Sequence, residues 1–147
     1  MLAGKKETIA LLPQKPPMVM VDGLLSHDAQ KTVSTLLIEA DNIFLKGQLF
    51  TEAGLVENIA QTAALRTGWM ARQTEGTGKA SAPPVGVIGG IKDLRIHELP
   101  PAGTRLTTTV SIVAEVMNAT VVSGKVEAGG KTLAECEMKI FLQEQDA

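Results

Sequence analysis

A single cysteine, Cys136, stands in a chain of 147 residues. One thiol excludes an internal disulfide and any cysteine-rich metal site. Tyrosine is absent, tryptophan occurs once and phenylalanine three times. That scarcity argues against recognition of bases or sugars by ring stacking. Neither sign of charge dominates: the formal net charge is -2, and lysines and arginines are scattered along the chain. Nucleic-acid binding needs a concentrated basic face, so no nucleic-acid partner is expected. No apolar run approaches the length of a membrane span. The opening stretch "MLAGKKETIALLPQKPP" has neither the long apolar core nor the cleavage-like end of a signal peptide, so a cytoplasmic location is expected.

What remains is ordinary globular material, 44% apolar and 20% charged. The length suits one domain with a real core and is too short for two of usual size. Residues 1–16 are expected to be a lead-in with a short helix. The apolar run at residues 18–27 is rich in Val and Leu and predicts a buried strand, with the Thr/Val-rich residues 31–40 as its antiparallel partner. Residues 51–71, "TEAGLVENIAQTAALRTGWMA", read as a helix that is apolar or small almost all the way round. Thr51 is placed to cap it, with Glu52 near the positive end of its dipole.

After a Gly/Ser/Pro-rich loop at residues 71–84, the chain reads entirely as strands. Residues 84–99 form a long strand interrupted by Gly89 and Gly90, a pair that allows something to approach the backbone closely. Residues 104–116 alternate Leu106, Thr108, Val110 and Ile112 against Thr107, Thr109, Ser111 and Val113. Gly129 and Gly130 mark a tight hairpin, and the last strand sets Ala134, Cys136, Met138 and Ile140 on one face. A helix this apolar must be wrapped by the sheet and covered beyond it, most economically by a second copy of the chain. The expected fold is α+β: a hotdog domain over residues 1–147, with an antiparallel sheet around one long central helix, as a homodimer.

Within that helix Glu57 and Gln61 lie one turn apart on one face. A carboxylate costs several kcal/mol to bury unpaired, so a buried one has a partner or a job. Glu57 therefore marks a candidate site. The alternative is that this face reaches solvent, as nearby Asn58 and Arg66 suggest. Gly54, near the helix start, either offers a free N–H to polarise a carbonyl oxygen or merely permits close packing. His27 and His97 read as surface residues, and Cys136 as a buried, inert thiol. No zinc, Ser-His-Asp or phosphate-loop pattern is present.

Three segments together resemble a known family. "LLPQKPPMVMVDGLL" is similar to the L-P-H-R-x-P-x-L-x-V-D opening of the FabZ-type 3-hydroxyacyl-acyl-carrier-protein dehydratases. "FLKGQLFTEAGLVENIAQ" resembles their F-F-x-G-H-F-P and E-A-x-A-Q segment with a shortened loop, and "GVIGGIKDLRIHELPPAGTRLTTTVSI" their following strand pair. The likeness covers nearly the whole chain and is greatest to divergent members linked to aryl-polyene or similar pigment pathways. It implies a hotdog fold and a site that removes water from a 3-hydroxyacyl thioester. Glu57 then matches the helix carboxylate, Gln61 the family glutamine, and Gly54 the oxygen-binding glycine. The two family histidines fall on Gln48 and Gln14, and an amide cannot accept a proton near neutral pH as imidazole can.

Three functions stay open on this reading. One is a divergent dehydratase working through Glu57. Another is an acyl-CoA or acyl-carrier-protein thioesterase using Glu57 and backbone N–H groups. The last is a non-catalytic subunit that binds acyl chains or completes a heterodimer with a catalytic dehydratase partner. In each the ligand is an acyl group on the phosphopantetheine of a carrier protein or CoA, entering near Gly89 and Gly90. No metal or tightly bound cofactor is implied. Lys46, Lys92 and Arg95 are candidates for receiving an acidic carrier at the mouth.

Overall fold

The computed structural model describes residues 1–75 and 83–143. The middle of the loop predicted at residues 71–84 lies outside the described residues. A short helix α1 (Lys5–Ala10) precedes strands β1 (Gly23–His27) and β2 (Lys31–Leu37). A small hairpin, β3 (Leu45–Lys46) with β4 (Leu49–Phe50), leads into the long helix α2 (Glu52–Glu75). Four strands follow: β5 (Gly86–Ile96), β6 (Arg105–Val116), β7 (Ala119–Ala128) and β8 (Lys131–Leu142). The sheet is six-stranded in the order β1-β2-β6-β7-β8-β5, with every neighbouring pair antiparallel. This is the hotdog fold.

The pattern in the sequence becomes the core directly. Leu106, Thr108 and Val110 of β6 and Ala134, Cys136 and Met138 of β8 are buried, as their alternation requires. Gly129 and Gly130, at φ 55° and 79°, turn β7 into β8 in the left-handed conformation that glycine adopts without strain. Against this sheet α2 lays Leu55, Ile59 and Ala63, which meet Phe50, Leu36, Val122 and Val126 in the main core. Burying Leu55 and Ile59 completely contributes about 1.5–3 kcal/mol each.

On another face of α2, Leu65 packs into a second cluster with Ala3, Leu11, Leu12, Val21 and Leu24, and Trp69 rests against it. On this face the helix is thus covered by the chain's own N-terminal segment, where the sequence pointed to a second copy as the most economical cover. Residues 18–22 are not strand, contrary to expectation. The Met18 carbonyl and both Met20 backbone groups are taken by side chains of α2, described below, and β1 begins only at Gly23.

Gly68 shows what this cover demands. A Cβ on it would strike the main-chain carbonyl of Leu11. Alanine favours a helix interior over glycine by about 1 kcal/mol. A clash with main chain forces backbone shifts costing about 1–3 kcal/mol, so packing wins over propensity. Gly68→Ala is expected to lower stability, measured as the urea midpoint. A raised midpoint would show that the N-terminal segment moves freely off the helix.

β5 forms one edge of the sheet, and every residue from Gly86 to Arg95 is exposed. Lys92, Asp93 and Arg95 lie along it, charges that discourage indiscriminate edge pairing. Among the described residues no helix is long and apolar enough to cross a membrane.

Candidate active site

The first half of α2 carries Glu57, Asn58 and Gln61, and each has a fixed place. Gln61 is fully buried and its amide is used at both ends. Its Oε1 accepts the Met20 N–H at 2.6 Å, while Nε2 donates to the Met18 carbonyl and to Glu57 Oε2, both at 2.8 Å. The backbone of residues 18–20 therefore dictates which way the amide points, and hence that a donor faces Glu57. Asn58, also fully buried, donates Nδ2 to the Met20 carbonyl at 2.8 Å and accepts from Thr108 Oγ1. In the sequence Asn58 suggested a solvent-facing side. Instead it belongs to a buried clamp, because two amides side by side can satisfy an extended segment that has no strand partner.

Glu57 itself is half-buried, on the wall of a cavity of about 700 Å³. Small residues of α2 make one side: Ala60, Ala63, Ala64, Thr67 and Ala71. The other side is mostly apolar, from Val87 and Ile88 of β5, Val122 of β7, and Ile140 and Leu142 of β8. The size is typical of a small-molecule site. Gln14 joins Glu57 in this wall, delivered by the N-terminal segment, with Pro13 beside it. Its Oε1 is buried and has no hydrogen-bond partner among the described residues. A buried acceptor without a donor costs about 1–3 kcal/mol. The arrangement offers one carboxylate beside an apolar trough.

Other residues singled out in the sequence lie elsewhere. Gly54 is buried, with its Cβ position closed by Phe50 and Phe44. Its N–H points to Thr51 Oγ1 at 3.4 Å, so the glycine serves packing at a capped helix start and does not line the cavity. Gln48 is exposed at the β3–β4 turn, where its main-chain carbonyl accepts the Ala102 N–H at 2.9 Å. It does not line the cavity. Gly89 lies under the Phe141 ring and Gly90 has open space around it; Gly86, Val87 and Ile88 reach the cavity in their stead. The bulge between Ile88 and Gly90 accounts for the offset. Lys46, Lys92 and Arg95 are exposed and none lines the cavity.

Cys136 is buried, which pushes its thiol up to about 11. His97 is exposed and pairs with Glu135 Oε2 at 3.2 Å. His27 is half-buried, not a simple surface residue, and its Nδ1 lies 3.0 Å from Thr32 Oγ1. Burial, and then the Arg66 charge, hold it below its ordinary range, with Asp28 opposing. The folded chain therefore resists protonating His27 more than the unfolded chain does. Stability should be complete above about pH 6.5 and decline as pH falls below that value. Urea midpoints on either side of it, for the protein and for His27→Gln, check this. The decline should be smaller in the variant.

Arg66 and Glu115 also reach the cavity, and nothing in the sequence tied them together. They are 49 positions apart, with Arg66 Nη2 donating to Glu115 Oε1 at 2.8 Å. Among the described residues no three His, Cys, Asp or Glu side chains converge as a metal ion requires.

A family model described as ApeP-like, ApeP dehydratase, matches residues 7–147. No curated protein matches the sequence. Among solved structures the chain is similar to one from the dehydratase heterocomplex ApeI:P of Xenorhabdus doucetiae. That likeness has a TM-score of 0.84 at 15% identity, over 94% of this chain and 91% of the other. It is similar also to the E. coli PaaI protein of a phenylacetic acid degradation operon, with a TM-score of 0.59 at 18% identity over 81% of each chain. A hypothetical thioesterase from Streptococcus pneumoniae solved with coenzyme A gives 0.63 at 12% identity, over 85% of this chain and 88% of the other.

Proposed function

The chain belongs to the ApeP-like family of dehydratases, and from that membership we propose that its cavity binds a 3-hydroxyacyl thioester whose water is eliminated at Glu57. The observation that carries this reading is the carboxylate held at a fixed orientation by Gln61 in the wall of an apolar trough. The thioester would arrive on the phosphopantetheine of a carrier protein or CoA, with its acyl chain along the small face of α2. Elimination takes the proton from C2 and breaks the C3–O bond, forming a C2–C3 double bond. A single carboxylate can do both proton steps in turn. Glu57 accepts the C2 proton and returns it to the departing hydroxyl, which leaves as water, so the carboxylate ends as it began.

A second reading has its own support. The exposed β5 edge presents unpaired backbone groups with Val87, Ile88, Ile91 and Leu94, a template for pairing with another chain. The similar Xenorhabdus chain comes from a heterocomplex. On this reading a partner dehydratase subunit supplies the imidazole that Gln14 and Gln48 do not.

The experiment is to incubate the purified protein with a 3-hydroxyacyl carrier protein and weigh the carrier. Loss of one water supports the dehydratase. Loss only after a histidine-bearing dehydratase is added supports the partner reading. Release of the whole acyl group means a thioesterase, and an unchanged carrier in all cases overturns the proposal.

A further inference from the structure

Two hollows meet at the C-terminal half of α2. The cavity beside Glu57 is one. The other is a shallower groove of about 520 Å³, floored by Ile112 and Val113 of β6 and flanked by His27 and Gln30. Arg66, Met70 and Glu115 are in the walls of both. What separates the hollows is therefore a few side chains, chiefly the Arg66 guanidinium reaching from α2 to Glu115 near the end of β6.

This partition is poorly held. The Arg66 side chain is only 14% exposed, yet among the described residues its buried Nε has no hydrogen-bond partner. Its ion pair goes to a Glu115 side chain that is 55% exposed, and a pair so open to water is worth little. Met70, the third shared residue, is itself exposed and unbranched, with several rotamers to choose from. A wall with an unsatisfied N–H and a weak partner can yield to an apolar ligand that gains more by passing.

We propose that the Arg66–Glu115 pair is a displaceable partition that sets acyl-chain length: chains that fit stop against it, and longer ones push it aside and continue into the groove beside His27. The inference rests on the acyl-thioester reading above. Glu57 and Arg66 are residues 57 and 66 of one helix, ~13.5 Å apart along its axis at 1.5 Å per residue. A chain whose thioester lies at Glu57 thus meets the partition only after extending over that length. Beyond it the chain would find Ile112 and Val113, and an imidazole that burial and the Arg66 charge keep from protonating readily.

The test is binding of straight-chain acyl-CoA thioesters of increasing length, by calorimetry, to the protein and to Arg66→Ala and Glu115→Ala. Affinity for the unaltered protein should rise about fourfold per added methylene, then break at the length that reaches the partition. In Arg66→Ala the break should move to longer chains. Glu115→Ala changes an exposed side chain and serves if Arg66→Ala does not fold; it should move the break in the same direction. A break at one length in all three proteins, or no break in the unaltered one, overturns the partition while leaving acyl binding intact. Failure of every thioester to bind the unaltered protein removes the acyl reading and the partition with it.

Discussion

Glu57→Gln should reduce water loss from a 3-hydroxyacyl carrier protein by roughly two to four orders of magnitude, the usual contribution of a positioned acid–base group. The substitution keeps the shape of the side chain and removes its ability to hold the transferred proton. The amide oxygen can still accept the Gln61 Nε2–H that Glu57 Oε2 accepts at 2.8 Å. One charge-assisted hydrogen bond is weakened, so the stability cost should stay near about 1 kcal/mol. Binding of an unreactive acyl thioester should change little, since the apolar wall from Ala60 to Ala71 and Val87 to Leu142 is untouched. A fall in kcat with an almost constant KM separates this from loss of fold. Turnover that persists in Glu57→Gln would move the chemistry away from this carboxylate.

How the sequence and the structure differ follows from where the ordering forces lie. Alternation along β6 and β8 and the paired glycines at 129 and 130 are local signals, and the sheet follows them. Glu57 and Gln61 were legible because a carboxylate and an amide among alanines are costly unless satisfied. Asn58 carried the same signal. Its partners, Met20 and Thr108, are 38 and 50 positions away, so the sequence could equally describe a wet face. Residues 18–22 had a strand's composition, but the Met18 carbonyl and both Met20 backbone groups found their hydrogen bonds on α2 side chains, a tertiary outcome that no local pattern encodes. The same holds for the Arg66–Glu115 contact.

The two glutamines illustrate the limit most sharply. By resemblance Gln48 and Gln14 both stood where the family carries histidine, Gln48 in the segment whose match needs a shortened loop. In the fold Gln48 is exposed on a hairpin turn, while Gln14 shares the cavity wall with Glu57. Within this chain's own cavity, therefore, only Gln14 of the two stands in the wall with Glu57.

Gln14→His is accordingly expected to raise the elimination rate, by up to roughly two orders of magnitude, the lower end of what a general base contributes. The segment that carries residue 14 is anchored on both sides. Leu11 packs against Gly68 of α2, and beyond residue 14 the Met18 N–H closes a turn on the Lys15 carbonyl at 2.9 Å. An imidazole there would start from a half-buried position beside Glu57 and need no rearrangement of the sheet. It titrates in the range where proton abstraction is useful, which an amide does not. The rate of the variant should therefore acquire a pH dependence, rising as the new imidazole loses its proton, that the unaltered protein lacks. The gain must also depend on the carboxylate. In the double variant Gln14→His, Glu57→Gln the added histidine should recover only a small part of the activity, because the departing hydroxyl then has no proton donor opposite the base. Equal rates and equal pH profiles for Gln14→His and the unaltered protein would mean that residue 14 faces the cavity without reaching the ligand's C2 proton. That outcome would favour the reading in which a partner chain supplies the base.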